Sequence, residues 1–220
     1  MKIDLHVHSN YSPDGKLTPL EILRILKSRG IDGVAITDHN SIKGSLSAID
    51  ESKETGMLLI RGTEISSEEG HIAALGVGQD VERGLSPEET IDKIHALGGI
   101  AVAVHPFRLS TGVGSNVIRR CRFDAIETLN SWTTRRRNIK ASKLADELKI
   151  PKTAGSDGHK DYDIGKAYVV IEDCDTEERA IEMISKGEAM IVGESRRPYN
   201  LLIDTVEMTL DWAKRGFKRL

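Results

Sequence analysis

Two histidines near the start of the sequence, His6 and His8, are separated by a single apolar residue. They lie in a segment where polar and apolar residues alternate, from Ile3 to His8. Side chains two residues apart on a β-strand point to the same face, so both imidazoles can reach one metal ion. The apolar residues between them would then face a packed layer. Alone, this pair is a modest metal signal, and its meaning depends on what the rest of the chain places beside it.

Other polar side chains follow or end further apolar, strand-like segments of the chain. They are Asp38, His39, Glu64, His71, His105, Asp157 and His159. Together with His6 and His8, this set contains six of the seven histidines, and only His95 is outside it. In βα barrels the C-terminal ends of the strands meet at one mouth. We therefore expect these side chains to converge there.

The set combines imidazoles with carboxylates and contains no cysteine. This combination suits divalent ions such as Zn²⁺, Mn²⁺ or Fe²⁺. The candidates outnumber the ligands of one tetrahedral ion, and the two oxygens of Glu64 could bridge two ions. Neighbouring ions lower the pKa of a shared water and neutralise charge on a phosphoryl oxygen. The residues therefore indicate a multinuclear centre for phosphoester hydrolysis.

The composition is that of a globular domain, and we expect residues 1–220 to form one. Charged residues make up 30% and hydrophobic residues 39% of the chain, and the net charge of −3 disfavours wholesale nucleic-acid binding. The two cysteines, Cys121 and Cys174, form no CxxC pair, which fits a reducing cytoplasm. No apolar run is long enough to cross a membrane, and the chain begins directly with a strand rather than a signal peptide.

The hydrophobic pattern predicts short strands that alternate with helices. Thr18 and Ser86 each begin a capping-box sequence, which predicts a helix N-terminus. The other main predicted helices cover residues 41–55, 132–148 and 200–219. The predicted strands cover residues 2–8, 32–37, 57–66, 71–77, 100–104, 124–130, 168–171 and 190–193.

This order favours a mostly parallel sheet covered by helices. A barrel and an open doubly wound sheet both fit it. The chain has neither a GxGxxG nor a GxxxxGK[ST] motif, so no nucleotide-binding loop supports the open sheet.

Five short motifs together resemble those of the PHP family, the polymerase and histidinol phosphatase metal-dependent phosphoesterases. They are Asp4-Leu5-His6-Val7-His8, Thr37-Asp38-His39, Gly62-Thr63-Glu64, His105-Pro106 and Gly155-Ser156-Asp157-Gly158-His159. They occur in the family's order over almost the whole chain. The resemblance implies an α/β fold, a distorted (β/α)7-type barrel with two or three divalent ions at the C-terminal ends of the strands.

The resemblance also implies which residues hold each ion. His6, His8, Glu64 and Asp157 would bind the first. Glu64 would bridge to a second ion, bound also by His71 and His105. Asp14, His39 and His159 would bind a third, although many relatives have a histidine where this chain has Asp14. Asp38 would orient a histidine rather than bind metal, and Asp4 could do the same or be a residue at the edge of the hydrogen-bonded ladder.

The expected mechanism is an in-line attack on phosphorus by a metal-bridged hydroxide at a centre that includes Asp157. His159 or His39 could protonate the leaving oxygen. Arg108, just after His105-Pro106, could clamp a phosphate, and Arg196 or Arg197 could also contact the substrate. The basic run 135–137 is interpreted mainly as a solvated helix face, and Trp132 as a packing residue rather than a base-stacking one.

These expectations favour a phosphatase or phosphodiesterase acting on a small nucleotide or phosphorylated metabolite. The absence of an appended polymerase or helicase module supports a small substrate. Histidinol phosphatase is an alternative. A non-catalytic nucleic-acid-binding subunit on the same barrel is another, but it would require a basic face and a degraded ligand set. A purely structural metal site would be closed and four-coordinate, which does not fit so many candidate ligands.

Overall fold

The structure is a computed structural model that describes residues 1–196, and these form one nine-stranded sheet with helices packed against it. The predicted helix at 200–219 and Arg197 lie outside the described residues. The strands are β1 (Lys2–Val7), β2 (Gly33–Ile36), β3 (Leu58–Ser67), β4 (Gly70–Leu75), β5 (Ile100–Ala103), β6 (Ala125–Asn130), β7 (Lys152–Gly155), β8 (Ala167–Val170) and β9 (Met190–Gly193). Of these, only β7 was not predicted as a strand, because its short sequence is polar and its burial comes from pairing with β6.

The sheet curls until its two sides meet. The strand order is β7-β6-β5-β4-β3-β2-β1-β8-β9. Beyond β7, Asp157 N donates to His6 O at 2.7 Å and His8 N donates to Gly158 O at 2.9 Å. The end of β7 therefore joins the end of β1, while β8 pairs with the start of β1. The predicted distorted barrel is confirmed, with β1 to β7 around its mouth.

The sheet is less parallel than the sequence pattern suggests. Pairs β1/β2, β2/β3, β5/β6 and β6/β7 are parallel, whereas β3/β4, β4/β5, β1/β8 and β8/β9 are antiparallel. The reversal arises at the β3–β4 hairpin, which the sequence did predict. Because β4 runs backwards, its first residues lie at the same end of the barrel as the last residues of its neighbours. That reversal brings His71 to the mouth.

Seven helices cover the barrel within residues 1–196. They are α1 (Pro19–Ser28), α2 (Lys43–Ser47), α3 (Ile49–Thr55), α4 (Pro87–Ala96), α5 (Gly114–Arg120), α6 (Arg135–Leu148) and α7 (Glu177–Lys186). The capping boxes predicted at Thr18 and Ser86 are both formed.

Two predicted helices were wrong in their extent. The helix predicted over residues 41–55 is divided at Ala48, whose N–H bonds to Ser45 O three residues back and tightens the turn. Helix α6 begins at Arg135, because the extended Thr134 is its N-cap. Trp132 therefore lies in a turn before the helix rather than in its first turn.

Apolar side chains form three clusters between the sheet and its helices. Helix α1 covers β1 and β2 through Ile22, Leu23 and Leu26. Helices α4, α5 and α6 cover the β3–β6 side, and α7 packs through Met183 and Ile184 on a cluster that includes β1 and β8. Burial of these faces fixes the strands, and the strands position the polar groups at the mouth.

None of the helices within residues 1–196 is both long and apolar enough to cross a membrane. Both cysteines are free. The cytoplasmic location and the single domain over residues 1–220 stay predictions.

The barrel closure depends on Gly155, because a side chain there has no room. A Cβ at this position would lie 2.3 Å from His6 Cβ and 2.9 Å from His6 N. We expect Gly155→Ala to lower the free energy of unfolding by about 1–3 kcal/mol, the usual cost of overpacking a core. The measurement is urea denaturation. Gly78→Ala is the matched control, since its Cβ would meet only the flexible Arg61 side chain at 3.4 Å. Equal stability of the two variants would contradict the close approach of β7 to β1.

Candidate metal centre

The nine side chains expected to bind metal meet at the barrel mouth. They form four groups, and within each group one ligand atom of every residue lies within 4.8 Å of the ligand atoms of the others. Among residues 1–196, the four groups contain these nine residues and no further ones. The groups are His8/Asp14/His39/His159, His6/Glu64/His105, His6/His8/Asp157 and His39/Glu64/His71. Strand ends and the loops beyond them supply most members, whereas Glu64 lies within β3. Asp14, the position that departs from many relatives, is among them.

Glu64 is the central carboxylate of the cluster and is almost fully buried. Its Oε1 lies 2.9 Å from His71 Nδ1 and 2.8 Å from His105 Nε2. Its Oε2 lies 3.2 Å from His39 Nδ1, 3.3 Å from His8 Nε2 and 3.6 Å from His6 Nε2. The two oxygens therefore face different sets of imidazoles, which is the geometry a bridging carboxylate needs.

The His6–His8 pair reaches the same point as Asp157. His6 Nε2 and His8 Nε2 are 3.2 Å apart, and they lie 3.7 Å and 3.4 Å from Asp157 Oδ1. The two imidazoles thus face the same carboxylate oxygen, Asp157 Oδ1. The pairing of β1 with β2 shifts register between Asp4 and Val7, but both imidazoles still face the mouth.

Asp14 lies at the more exposed side of the cluster. Its Oδ2 is 3.1 Å from His159 Nε2 and 3.3 Å from His39 Nε2, and its Oδ1 accepts a hydrogen bond from Ser12 Oγ at 2.7 Å. His39 connects this group with the rest of the cluster, since its Nδ1 also contacts Glu64.

The hydrogen bonds behind the imidazoles test whether these residues fit metal ions. His6 donates through Nδ1 to Glu127 at 3.0 Å, which leaves its Nε2 facing His8 Nε2. His159 donates through Nδ1 to Asp157 O at 2.8 Å, which leaves its Nε2 facing the Asp14 carboxylate. A ring nitrogen that faces another nitrogen or a carboxylate oxygen needs a proton or a cation between the two atoms. The donor set therefore fits divalent ions bound by imidazole and carboxylate.

Without metal, the imidazoles of the cluster differ in pKa. Burial alone would lower the pKa of His6, His39 and His159, but neighbouring carboxylates outweigh it and raise all three, so these imidazoles would lose a proton on binding metal. Burial lowers the pKa of His8 and of His105 to about 4, which leaves both imidazoles neutral near pH 7. Burial alone would raise the pKa of Glu64, but the imidazoles of His71, His39 and His6 outweigh it and hold that pKa well below its usual value. Neutral imidazole and ionised carboxylate are the forms that bind metal.

Sequence reasoning missed the residues that orient the cluster. Glu127 lies in β6, and its Oε1 accepts from His6 while its Oε2 accepts from His105 N at 2.6 Å. Asn130 donates to Glu127 Oε2 at 2.9 Å and to Asp157 Oδ2 at 3.1 Å. A glutamate directly after two apolar residues within a predicted strand was the available signal, because a carboxylate is rarely buried without a partner.

Contrary to the prediction for Asp38, its described hydrogen bonds do not include an imidazole, and Asp4 contacts His6 only at the backbone, where it accepts from His6 N at 3.3 Å. Asp38 accepts from Ser9 N and Ser9 Oγ, both at 2.6 Å. Asp4 accepts from Ser156 N at 2.9 Å and Gly165 N at 2.8 Å. In the part of the chain that is described, neither carboxylate accepts a hydrogen bond from an imidazole. Both hold the backbone of loops that carry cluster residues.

Two members of the cluster have strained backbones. His105 has a φ of 30° and Asp157 a φ of 54°. A residue with a side chain reaches this region at a cost of roughly 1–3 kcal/mol. The barrel imposes this conformation at the two strand ends where side chains must turn into the mouth.

The arginines predicted to contact substrate occupy different places. Arg108 pairs with Asp157 and donates to Asn130 Oδ1 at 3.3 Å, so it lies at the cluster. Arg196 packs over the Trp132 ring nearby. Within the run 135–137, the first two side chains are exposed on α6, as expected for a solvated face. His95 pairs with Asp124 at 2.7 Å and takes no part in the cluster, as predicted.

Comparison with known proteins gives both close and partial relatives. An uncharacterised protein of Methanocaldococcus jannaschii is 38% identical over 160 residues, which are 67% of this chain and 94% of that protein. The 3',5'-nucleoside bisphosphate phosphatase of Chromobacterium violaceum is 37% identical over 79 residues, which are 34% of this chain and 27% of that protein. The second match is thus confined to part of each protein.

Among solved structures, a two-domain protein of Bacteroides vulgatus is similar in fold. Its description gives one domain as a predicted PHP-like metal-dependent phosphoesterase. The TM-score is 0.72 at 16% identity, over 88% of this chain and 65% of that one. The PHP domain family itself matches residues 4–203. That span begins within β1 and contains β2 to β9 and all nine residues of the cluster. The chain therefore belongs to the PHP domain family.

Proposed function

We propose that the chain is a metal-dependent phosphoesterase that hydrolyses a phosphate mono- or diester of a small substrate. The observation that carries this proposal is Glu64, whose two oxygens face separate sets of imidazoles at a buried centre. A structural site would need only four ligands around one ion. Nine convergent groups, open at one edge, suit a reactive centre.

The proposed ligand sets follow the contacts. His6, His8, Glu64 and Asp157 would hold one ion, with contacts of 3.2–3.7 Å among them. Glu64 would also hold a second ion with His71 and His105, which share its Oε1. The third set, Asp14, His39 and His159, shares Asp14 Oδ2. His39 is close enough to Glu64 to belong to either of the last two sets.

When bound, such ions would supply a nucleophile at neutral pH and neutralise charge on the phosphoryl oxygens. The chain's own residues would bind the substrate and donate a proton to the leaving oxygen. Arg108 already faces an anion, the carboxylate of Asp157, and its fork of donors suits a phosphoryl group at the same place. His159, held through Nδ1 by Asp157 O, could present Nε2 to the leaving oxygen as a general acid, and His39 is the second candidate.

Exposure at the centre indicates where the substrate enters. The side chains of His6, Glu64 and Asp157 are no more than 2% exposed, whereas those of His159, Asp14 and Arg108 are 14%, 19% and 23% exposed. A buried centre with one more exposed edge fits a terminal phosphoryl group better than the backbone of a folded nucleic acid. The net charge of −3 and the intact ligand set also disfavour the nucleic-acid-binding subunit. The Chromobacterium violaceum relative, a bisphosphate phosphatase, supports a small phosphorylated substrate.

The direct test is a screen of phosphate mono- and diesters with Mn²⁺ added, followed by Asp157→Asn on the best substrate. We expect Asp157→Asn to lower kcat/KM by more than about a hundredfold, because one ligand and the Arg108 partner are lost together. Asp146→Asn is the matched control, since Asp146 is an exposed residue of α6 paired with Lys152. Metal content measured on both variants accompanies the kinetics. No hydrolysis of any ester by metal-loaded protein would overturn the proposal.

Glu127→Gln tests the groups that orient the ligands. The variant keeps the shape of the side chain but loses the charge that holds His6 Nδ1 and His105 N. Loss of such a partner costs about 10–100-fold in metal affinity, and we expect a decrease of this size in a Mn²⁺ or Zn²⁺ titration. Glu147→Gln, at an exposed site paired with Arg119, is the control and should bind normally. Unchanged affinity in Glu127→Gln would remove Glu127 from the metal centre.

Arg108→Gln separates substrate binding from chemistry. A hydrogen bond to a charged group contributes roughly 1.5–3 kcal/mol, so we expect KM to rise about tenfold or more with a smaller change in kcat. Steady-state kinetics on metal-loaded protein make the measurement. Arg119→Gln, on the exposed face of α5, serves as the control. A fall in kcat at constant KM would show instead that Arg108 acts only by holding Asp157.

A further inference from the structure

Trp132 and Arg196 form a stacked pair beside the candidate metal centre. The Arg196 guanidinium carbon lies 3.7 Å from the centroid of the Trp132 ring, within the range of a cation–π contact. The same ring lies 5.4 Å from the imidazole of His159, at an interplanar angle of 55°. The indole therefore stands between a residue of the cluster and a guanidinium.

Arg196 comes from the other end of the strand order. It follows β9, but its N–H donates to Thr133 O at 3.1 Å, in the turn after β6. One residue earlier, Ser195 Oγ accepts from Asn138 Nδ2 of α6 at 3.0 Å. These bonds fix the backbone of Arg196 against the turn that carries Trp132.

The same turn is bonded to the metal centre. Asn138 Nδ2 also donates to Asn130 O at 3.0 Å, and Asn130 Oδ1 accepts from Trp132 N at 3.0 Å. The Asn130 amide in turn donates to Asp157 Oδ2 at 3.1 Å. A continuous set of hydrogen bonds therefore runs from Asp157 to Ser195, and it holds Trp132 and Arg196 in a fixed place relative to the cluster.

The charges around Arg196 distinguish it from Arg108. Burial lowers the pKa of Arg196 to about 10, which still leaves it charged at neutral pH. Asp163 and Asp157 raise this pKa and the like charge of Arg108 lowers it, so the two guanidiniums are close enough to interact. Arg108 already pairs with the cluster carboxylate Asp157. Arg196 is the second guanidinium near that carboxylate, and it stacks on Trp132.

We propose that Arg196, oriented by the ring of Trp132, binds a second anionic group of the substrate, separate from the phosphoryl group that reacts. The inference deepens the proposed function, on which it rests, by giving the substrate class: phosphoesters that carry another phosphate or carboxylate. Trp132 is a positioning residue in this arrangement. With Arg196 over its ring and His159 beside it, the indole is a support for the guanidinium and not a platform for a base.

The test uses two ligands that cannot be hydrolysed and differ in one anionic group, pentylphosphonate and pentane-1,5-bisphosphonate. Calorimetry on Mn²⁺-loaded full-length protein gives the ratio of their affinities. We expect the wild-type protein to bind the bisphosphonate about tenfold or more tightly than the monophosphonate, because one hydrogen bond to a charged group contributes roughly this much affinity. Arg196→Gln and Trp132→Leu should abolish the preference, whereas Trp132→Phe, which keeps an aromatic ring under the guanidinium, should retain most of it.

Arg136→Gln is the matched control, because Arg136 is an exposed arginine of the neighbouring helix and should leave the preference intact. Absence of a preference in the wild-type protein, or a preference that survives in Arg196→Gln, would overturn the inference. A fall in the affinity of both ligands by the same factor would also overturn it, because Arg196 would then act on the shared phosphonate. The binding ratio is independent of turnover, so a protein that hydrolyses nothing but shows the ratio would refute the proposed function alone.

Discussion

A buried carboxylate among five imidazoles is the constraint on which the rest of the structure depends. Glu64 is almost fully buried, with ring nitrogens of His6, His8, His39, His71 and His105 within 3.6 Å of its oxygens. An ionised carboxylate at such depth costs several kcal/mol unless positive charge accompanies it. In the absence of metal that charge comes from protons on the imidazoles and from the Arg108 guanidinium. Divalent ions remove the need for those protons, so the same arrangement that is costly alone becomes favourable with metal.

The barrel brings these groups together from distant parts of the chain. Parallel strands deliver their last residues to one end, and the reversed β4 delivers its first. His71 and Glu64 are thus brought side by side by the β3–β4 hairpin. The last step of closure is the joining of β7 to β1, where Gly155 lies against His6. Closure and assembly of the centre are therefore the same event, since Asp157 and His159 follow β7 directly.

Local pattern was sufficient for the parts of this structure that depend on local chemistry. The alternation around His6 and His8, the two capping boxes and the β3–β4 hairpin are all encoded within a few residues, and all were predicted correctly. The convergence of nine polar side chains at the mouth followed from the barrel. What no local pattern contained were contacts made across the barrel. Glu127 can be noticed as a charged residue within a strand, but its partner His6 is known only once β1 is placed beside it. Asp38 bonds to Ser9 rather than to an imidazole because of how one loop packs on another.

The division of labour between strands and loops has a consequence for specificity. The groups that hold the cluster in place, Asp4, Glu127 and Asn130, lie within strands whose positions the core fixes. The groups assigned to the substrate, Arg108, Trp132 and Arg196, lie in loops and turns at the mouth. A change in those loops can alter which anionic groups are bound without moving any residue proposed to hold metal. The hydrogen bonds from Asp157 through Asn130 and Asn138 to Ser195 are the link between the two parts, because they fix Arg196 relative to the Asp157 carboxylate. The barrel therefore sets the distance between the reacting phosphoryl group and a second anion. The loops supply the charge that binds that anion.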